Sequence, residues 1–167
     1  KEVDLARGWG HPNMAGVDIS RFTGVEPFPL DQYVSTAPHI TFVARTDRLW
    51  FRTTLGKLCY RAIGALGLRN SLGRWFTYRQ SAMMRSVMRR VKRALPDASF
   101  TVVGLAPSGG FEGLAEDLRT MRMDTGTELQ WCRAYARSHI VVGVHGSNML
   151  LPTAHAAGLI EILPRDR

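Results

Sequence analysis

The stretch His139–Pro152 reads His-Ile-Val-Val-Gly-Val-His-Gly-Ser-Asn-Met-Leu-Leu-Pro. Ile140–Val144 is an unbroken, β-branched apolar run, the pattern of a strand buried on both faces as in a parallel sheet. It stops abruptly at His145-Gly146-Ser147-Asn148, where small polar residues take over. Ser147 and Asn148 are favourable N-caps, so a helix is expected to start there. Gly158 can close that helix, and Leu159–Leu163 reads as the next strand. The unit is strand, tight turn, helix, strand. Its turn lies at the carboxyl end of a parallel strand, where open α/β sheets hold their ligands. Backbone N–H groups and the helix dipole favour an anion at that point.

The other strands and helices fall into the same scheme. His39–Ala44 is a strand followed at once by Arg45-Thr46-Asp47-Arg48, which sets two arginines at the same sheet edge as the His145 turn. Arginine there can clamp phosphate oxygens bidentately; the plainer alternative is surface pairing with Asp47. Leu55–Arg69 carries Leu55, Leu58, Cys59, Ala62, Ile63 and Leu66 at helical spacing, the face of a helix packed on the sheet or lying on a membrane surface. Asn70–Gly73 reads as a turn. Tyr78–Leu95 is the strongest helix, with Met84, Val87, Met88, Val91 and Leu95 along one stripe. Ser99–Leu105 is a second strand, followed by the Gly-rich turn Pro107–Gly110, which matches no phosphate-binding fingerprint. Phe111–Arg119 reads as a short helix, and Thr127-Glu128-Leu129-Gln130 as a capping box opening a helix to Arg137.

The order β, α, α, β, α, α, β, α, β predicts an α/β fold: a Rossmann-like parallel sheet flanked by helices. Residues 1–37 read as loop or linker from a preceding domain, with Trp9 and Phe28 able to pack on its surface, and 38–167 as the domain itself. The chain opens on Lys1 and stops at Arg167 just after an expected strand, so it reads as truncated.

Length and charge set further bounds. A chain of 167 residues with 45% hydrophobic content can bury a real core. No apolar run reaches the roughly 18–20 residues of a membrane span. Cys59 and Cys132 are too few for a disulfide framework or a zinc site and fall on apolar helix positions, so both read as buried thiols. The net charge of +8 is concentrated: Arg45–Arg93 holds thirteen Arg or Lys and one acid, Asp47. Such a block suits phosphate groups, a membrane surface or nucleic acid, or is a solvated face.

Three segments together resemble the C-terminal domain of a GT-B glycosyltransferase, most similar to glycosyltransferase family 61. They are Val141–Leu150 with its Gly-x-His-Gly and Asn, the acidic strand Ile160-Glu161-Ile162-Leu163-Pro164, and Ile40–Arg48, a strand ending in an arginine with another close behind. Asn148 follows Ser147 directly, without the two residues that usually separate them in that family. Arg52–Arg79 is longer and more basic than the family pattern, as an insertion serving an acceptor or a membrane would be.

The resemblance implies a donor site for a nucleotide sugar, which is substrate rather than cofactor. Gly146, Ser147 and Asn148 would offer N–H groups to the diphosphate. Arg45 and Arg48 would balance its charge, and a neutral His145 would bond a phosphate or sugar oxygen. Glu161 would accept from a ribose hydroxyl. It further implies inverting, metal-independent transfer to a glycan, protein or lipid acceptor, with the base supplied by another domain; Asp124 is the carboxylate that could serve from within this chain. The competing reading is a basic Rossmann-like module without catalysis. It would bind nucleic acid, for which no RNP-type, helix-turn-helix or stacking signature is present, or a membrane surface through the Leu55–Arg93 helices.

Overall fold

The computed structural model describes residues 19–47, 49–50, 54–67 and 69–163. Five parallel strands form one sheet: β1 (His39–Val43), β2 (Ser99–Leu105), β3 (Glu116–Thr120), β4 (Ile140–Val144) and β5 (Leu159–Ile162). Their spatial order is β3-β2-β1-β4-β5. The helices are α1 (Ile19–Thr23), α2 (Thr54–Ala65), α3 (Arg69–Ala94), α4 (Thr125–Ala136) and α5 (Leu150–His155). The fold is the expected α/β, Rossmann-like arrangement.

Alternation along β1 distributes the core. Ile40, Phe42 and Ala44 face one side, where Met84 and Met88 of α3 pack with Phe100, Val102 and Phe111. Val43 faces the other, against Trp131 and Tyr135 of α4 and Met149 beside α5. A strand covered on both faces is mostly apolar, and its buried polar groups must be satisfied. That is why β1, β2 and β4 show as largely apolar runs rich in β-branched residues. The one polar residue buried mid-strand in β1, Thr41, is satisfied: it bonds Ser138 Oγ at 2.7 Å, and Ser138 in turn donates to the Ala134 carbonyl at 2.6 Å.

Five expectations are corrected. Phe111–Arg119 is not a helix; it turns and then forms β3, an edge strand reading Glu-Asp-Leu-Arg-Thr. Glu116 is exposed, as suits a sheet edge, while Arg119 is buried. Asn70–Gly73 is not a turn but the first part of α3, whose 26 residues begin well before Tyr78. In that helix Met84 and Met88 are fully buried, while Val87 and Leu95 of the expected stripe are exposed. The stripe of α2 is not buried against the sheet either: Leu58, Cys59, Ala62 and Leu66 are exposed, and Tyr60 touches Phe76 of α3 edge-on at 5.0 Å. Cys132 is therefore the buried thiol and Cys59 an exposed one. Burial pushes the Cys132 thiol above its ordinary value.

Residues 19–37 are partly helical and lie on the body of the domain. Phe28 is buried and meets the His139 ring at 4.8 Å. Its N–H donates to the His155 carbonyl at 2.7 Å. His139 Nδ1 accepts from the His39 N–H at 3.1 Å, so its proton sits on Nε2, which donates to the Tyr33 carbonyl at 3.1 Å. Trp9, Arg48, Arg52 and Pro164 lie outside the described residues.

One glycine controls how β1 leaves the sheet. Gly104 near the end of β2 has φ +121°, and a Cβ there would stand 1.9 Å from the Ala44 carbonyl oxygen. Only a residue without a side chain lets β1 and β2 pass so closely in this backbone conformation. Gly104→Ala is expected to cost about 3 kcal/mol through strain and overpacking. A urea unfolding curve checks this, and an unchanged midpoint would refute it.

Stability also depends on pH through His39. His39 bonds Ser99 Oγ at 2.7 Å and Thr101 Oγ1 at 3.0 Å. Burial, and next the positive charge of Arg137, push its pKa from 6.5 down to about 4. The unfolded chain therefore binds a proton that the folded chain refuses. The contribution of His39 is complete above pH 6.5 and is lost as pH falls toward 4. The urea midpoint should drop across that window, and His39→Asn should flatten the drop.

Candidate functional site

The strand order reverses between β1 and β4. The chain leaves β1 toward β2 on one side, while β4 lies on the other and leads to β5. Loops departing in opposite directions leave a crevice at the carboxyl ends of the two strands, the position where such sheets take their ligands. Arg45 follows β1 into this crevice, and His145 follows β4.

Arg45 is held from three directions. Its Nη1 donates to Asn148 Oδ1, which bridges the β1 and β4 loops. Its Nε donates to Asp47 Oδ1 at 2.8 Å, and Nη2 pairs with Asp47 Oδ2. Its own carbonyl accepts from Gln80 Nε2 at 3.1 Å, while Gln80 Oε1 accepts from the Trp50 N–H at 3.0 Å. Gln80 is buried within α3 and clamps the loop at both ends of the Arg45–Trp50 turn. Asn148 Nδ2 is buried without a partner among the described residues.

The His145 turn is built differently from the expected capped helix. Ser147–Met149 is a short 3-10 turn preceded by Gly146, which makes no side-chain cap, and α5 after it spans six residues. Ser147 is exposed, and Asn148 spends its side-chain oxygen on Arg45 rather than on a helix N–H. Positive character in the crevice therefore rests on the Arg45 guanidinium and the first-turn N–H groups more than on a helix dipole. Gly143 explains how the turn is fastened. A Cβ there would lie 2.5 Å from Met149 Sδ and 3.1 Å from Val43 Cβ, so the missing side chain is the socket for Met149.

Glu161 on β5 reaches the same edge. It is paired in register with Gly143, and its Oε2 accepts from His145 Nδ1 at 2.7 Å. A carboxylate only accepts, so Nδ1 carries the proton. β4 lies between β1 and β5, so both pairs gather around the loop that leaves β4. Of the residues expected at the site, the structure joins Arg45 to Asn148 and His145 to Glu161, with Gly146 and Ser147 between them in sequence.

Two other candidates turn out to be structural. Asp124 is the N-cap of α4, three residues ahead of the expected start at Thr127, and accepts from the Thr127 N–H at 2.7 Å. That bond holds its carboxyl below the ordinary value, which makes it a weaker base. It lies beyond β3, two strands from β1 on the side away from β4. The Gly-rich turn has its N–H groups already occupied: Gly109 donates to Asp117 at 2.7 Å and Gly110 to Glu112 at 2.8 Å. Arg119 closes that cluster, buried over the Phe111 ring at 4.7 Å and paired with Asp117 at 2.7 Å. Among the described residues no three His, Cys, Asp or Glu side chains are placed to hold a metal ion.

Gln80 is invisible in the sequence as a site residue, because its partners lie 30 and 35 positions away. Gln80→Ala would leave the part-buried Arg45 carbonyl and Trp50 N–H without this partner, at about 1 kcal/mol. Urea unfolding should register the loss. Any anion held by Arg45 should bind more weakly in the variant; an unchanged affinity would show that Gln80 does not position Arg45.

Comparison with protein-family models, with curated proteins and with solved structures returned no match for this chain.

Proposed function

We propose that the crevice between β1 and β4 binds the diphosphate of a nucleotide sugar, and that the chain is the donor-binding domain of a metal-independent, inverting glycosyltransferase. The observation that carries this reading is the Arg45–Asn148 bond across the switch point. It sets a guanidinium, pre-oriented by Gln80 and Asp47, where the fold offers a ligand site. The unpartnered Asn148 Nδ2 beside it is a donor that a phosphoryl oxygen would satisfy. Asp47 is well exposed, so an incoming phosphate can compete with it for Arg45.

Each remaining residue then has a chemical part. His145, held through Nδ1 by Glu161 at the carboxyl end of β4, is the imidazole that this reading assigns to the diphosphate or the sugar. During transfer an acceptor hydroxyl attacks the anomeric carbon, the bond from that carbon to the diphosphate oxygen breaks, and negative charge grows on the leaving group. Arg45 stabilises that charge. The acceptor's proton goes to a base outside this set. The sugar-transfer part of the reading rests on the likeness to glycosyltransferase family 61; the anion-binding part rests on the crevice.

Calorimetric titration with UDP, GDP and CMP near physiological salt tests it. One nucleotide should bind saturably, and Arg45→Ala and His145→Ala should each weaken it about tenfold or more, as expected for losing a charge-assisted bond. Absence of binding by all three nucleotides would refute the reading.

A further inference from the structure

We propose that the hairpin of α2 and α3 docks this chain on an anionic membrane surface, with α2 lying in the headgroup layer and its leucines turned toward the lipid. The inference goes beyond the nucleotide reading and does not depend on it.

Leu58 is 55% exposed and Leu66 just beyond the helix is 71% exposed, with Cys59, Ala62 and Ala65 exposed around them. The opposite side, with Tyr60 and Ile63, is the half-buried one. An amphipathic helix that turns its apolar side away from its own domain is unfinished as a soluble structure. On α3, Trp75 and Tyr78 are also exposed, and Arg79 stacks over the Trp75 ring at 4.8 Å. Indole and phenol rings beside arginines suit a bilayer interface, where one end of the ring is apolar and the other wet.

Charge identifies the occupant. Between Asp47 and Asp97 the chain contains no acidic residue, while Arg61, Arg74, Arg79, Arg89, Arg90 and Arg93 are exposed on the two helices. A second copy would bring two acid-free basic surfaces together, which repel. A nucleic acid backbone would meet the arginines but gives Leu58 and Leu66 nothing to bury against. Anionic lipid satisfies both: phosphate and carboxylate groups for the arginines, acyl chains for the leucines. Among the described residues no helix is long and apolar enough to cross a membrane. The 12 residues of α2 span about 18 Å, which suits a helix lying in the plane of the surface.

Vesicle flotation of the full chain tests the proposal, with phosphatidylcholine vesicles compared against vesicles containing about one-third phosphatidylserine at physiological salt. Wild type should float with the anionic vesicles and much less with the neutral ones. The double variant Leu58→Glu, Leu66→Glu should lose at least tenfold in affinity. Arg61→Gln and Arg74→Gln should cost about fivefold each, the fold equivalent of one surface charge. The substituted side chains are exposed, so circular dichroism and the thermal midpoint should stay unchanged. Nucleotide titration of the leucine variant should match wild type, which separates failure of this proposal from failure of the donor site. Failure to float, or flotation indifferent to the leucines, overturns the proposal. So does binding to single-stranded RNA that survives the leucine exchange without any vesicle binding, or a dimer in light scattering that the exchange abolishes.

Discussion

The candidate site depends on β1 being hydrogen-bonded on both sides. Its register runs Ile40 against Phe100 of β2 and Ile40 against Ile140 of β4, so the ends of three parallel strands are held level. Once they are level, the side chains that follow them must emerge at one edge. Arg45 then meets Asn148, although 103 residues separate them. Close approach makes this alignment work. Gly104 lets the Ala44 carbonyl sit against β2, and Gly143 lets Met149 sit against β4. Each glycine makes room for a residue of the neighbouring element, Ala44 just before Arg45 and Met149 just after Asn148.

How much of this the sequence revealed follows from the range of the interactions involved. β1, β2 and β4 announce themselves because burial on both faces demands runs such as Ile140–Val144, a local pattern, while β5, half-exposed at the sheet edge, shows as an apolar run interrupted by Glu161. β3 does not: Glu116-Asp117-Leu118-Arg119-Thr120 has no apolar run, and what makes it a strand is its pairing with β2 across ten residues of turn. Arg45, His145, Asn148 and Glu161 were legible as residues at strand ends, but their pairing was not, since nothing local says which carboxylate meets which cation. Gln80 was hidden for the same reason. The α2 stripe gives a different lesson. Its period was readable and its helix is real, yet periodicity fixes only that an apolar face exists, not whether the face looks inward or outward.

Basic residues fall into two groups by the company they keep. Around the sheet, Arg45 pairs with Asp47, Arg119 with Asp117 and Arg137 with Glu116. These pairs fix geometry: Arg119 is almost wholly buried and could not remain so without its carboxylate. On α2 and α3 the arginines have no acidic neighbour in sequence, and their charges add rather than cancel. A net charge of +8 therefore measures mainly the hairpin, and the sheet edge contributes little to it.

That division bears on how an anion would be held in the crevice. α5 has six residues, and its entry is a 3-10 turn without a side-chain cap, so its dipole is a weak source of positive potential. The guanidinium of Arg45 has to supply most of it, and a single exposed arginine in water attracts an anion feebly. Here it is mostly buried, with its carbonyl, its Nη1 and its Nε each committed to a partner. A cation whose orientation is fixed in advance binds without first losing side-chain freedom. The buried face of α3 thus does two things with one set of residues. Met84 and Met88 hold the sheet, and Gln80, one turn earlier, holds the loop that aims Arg45.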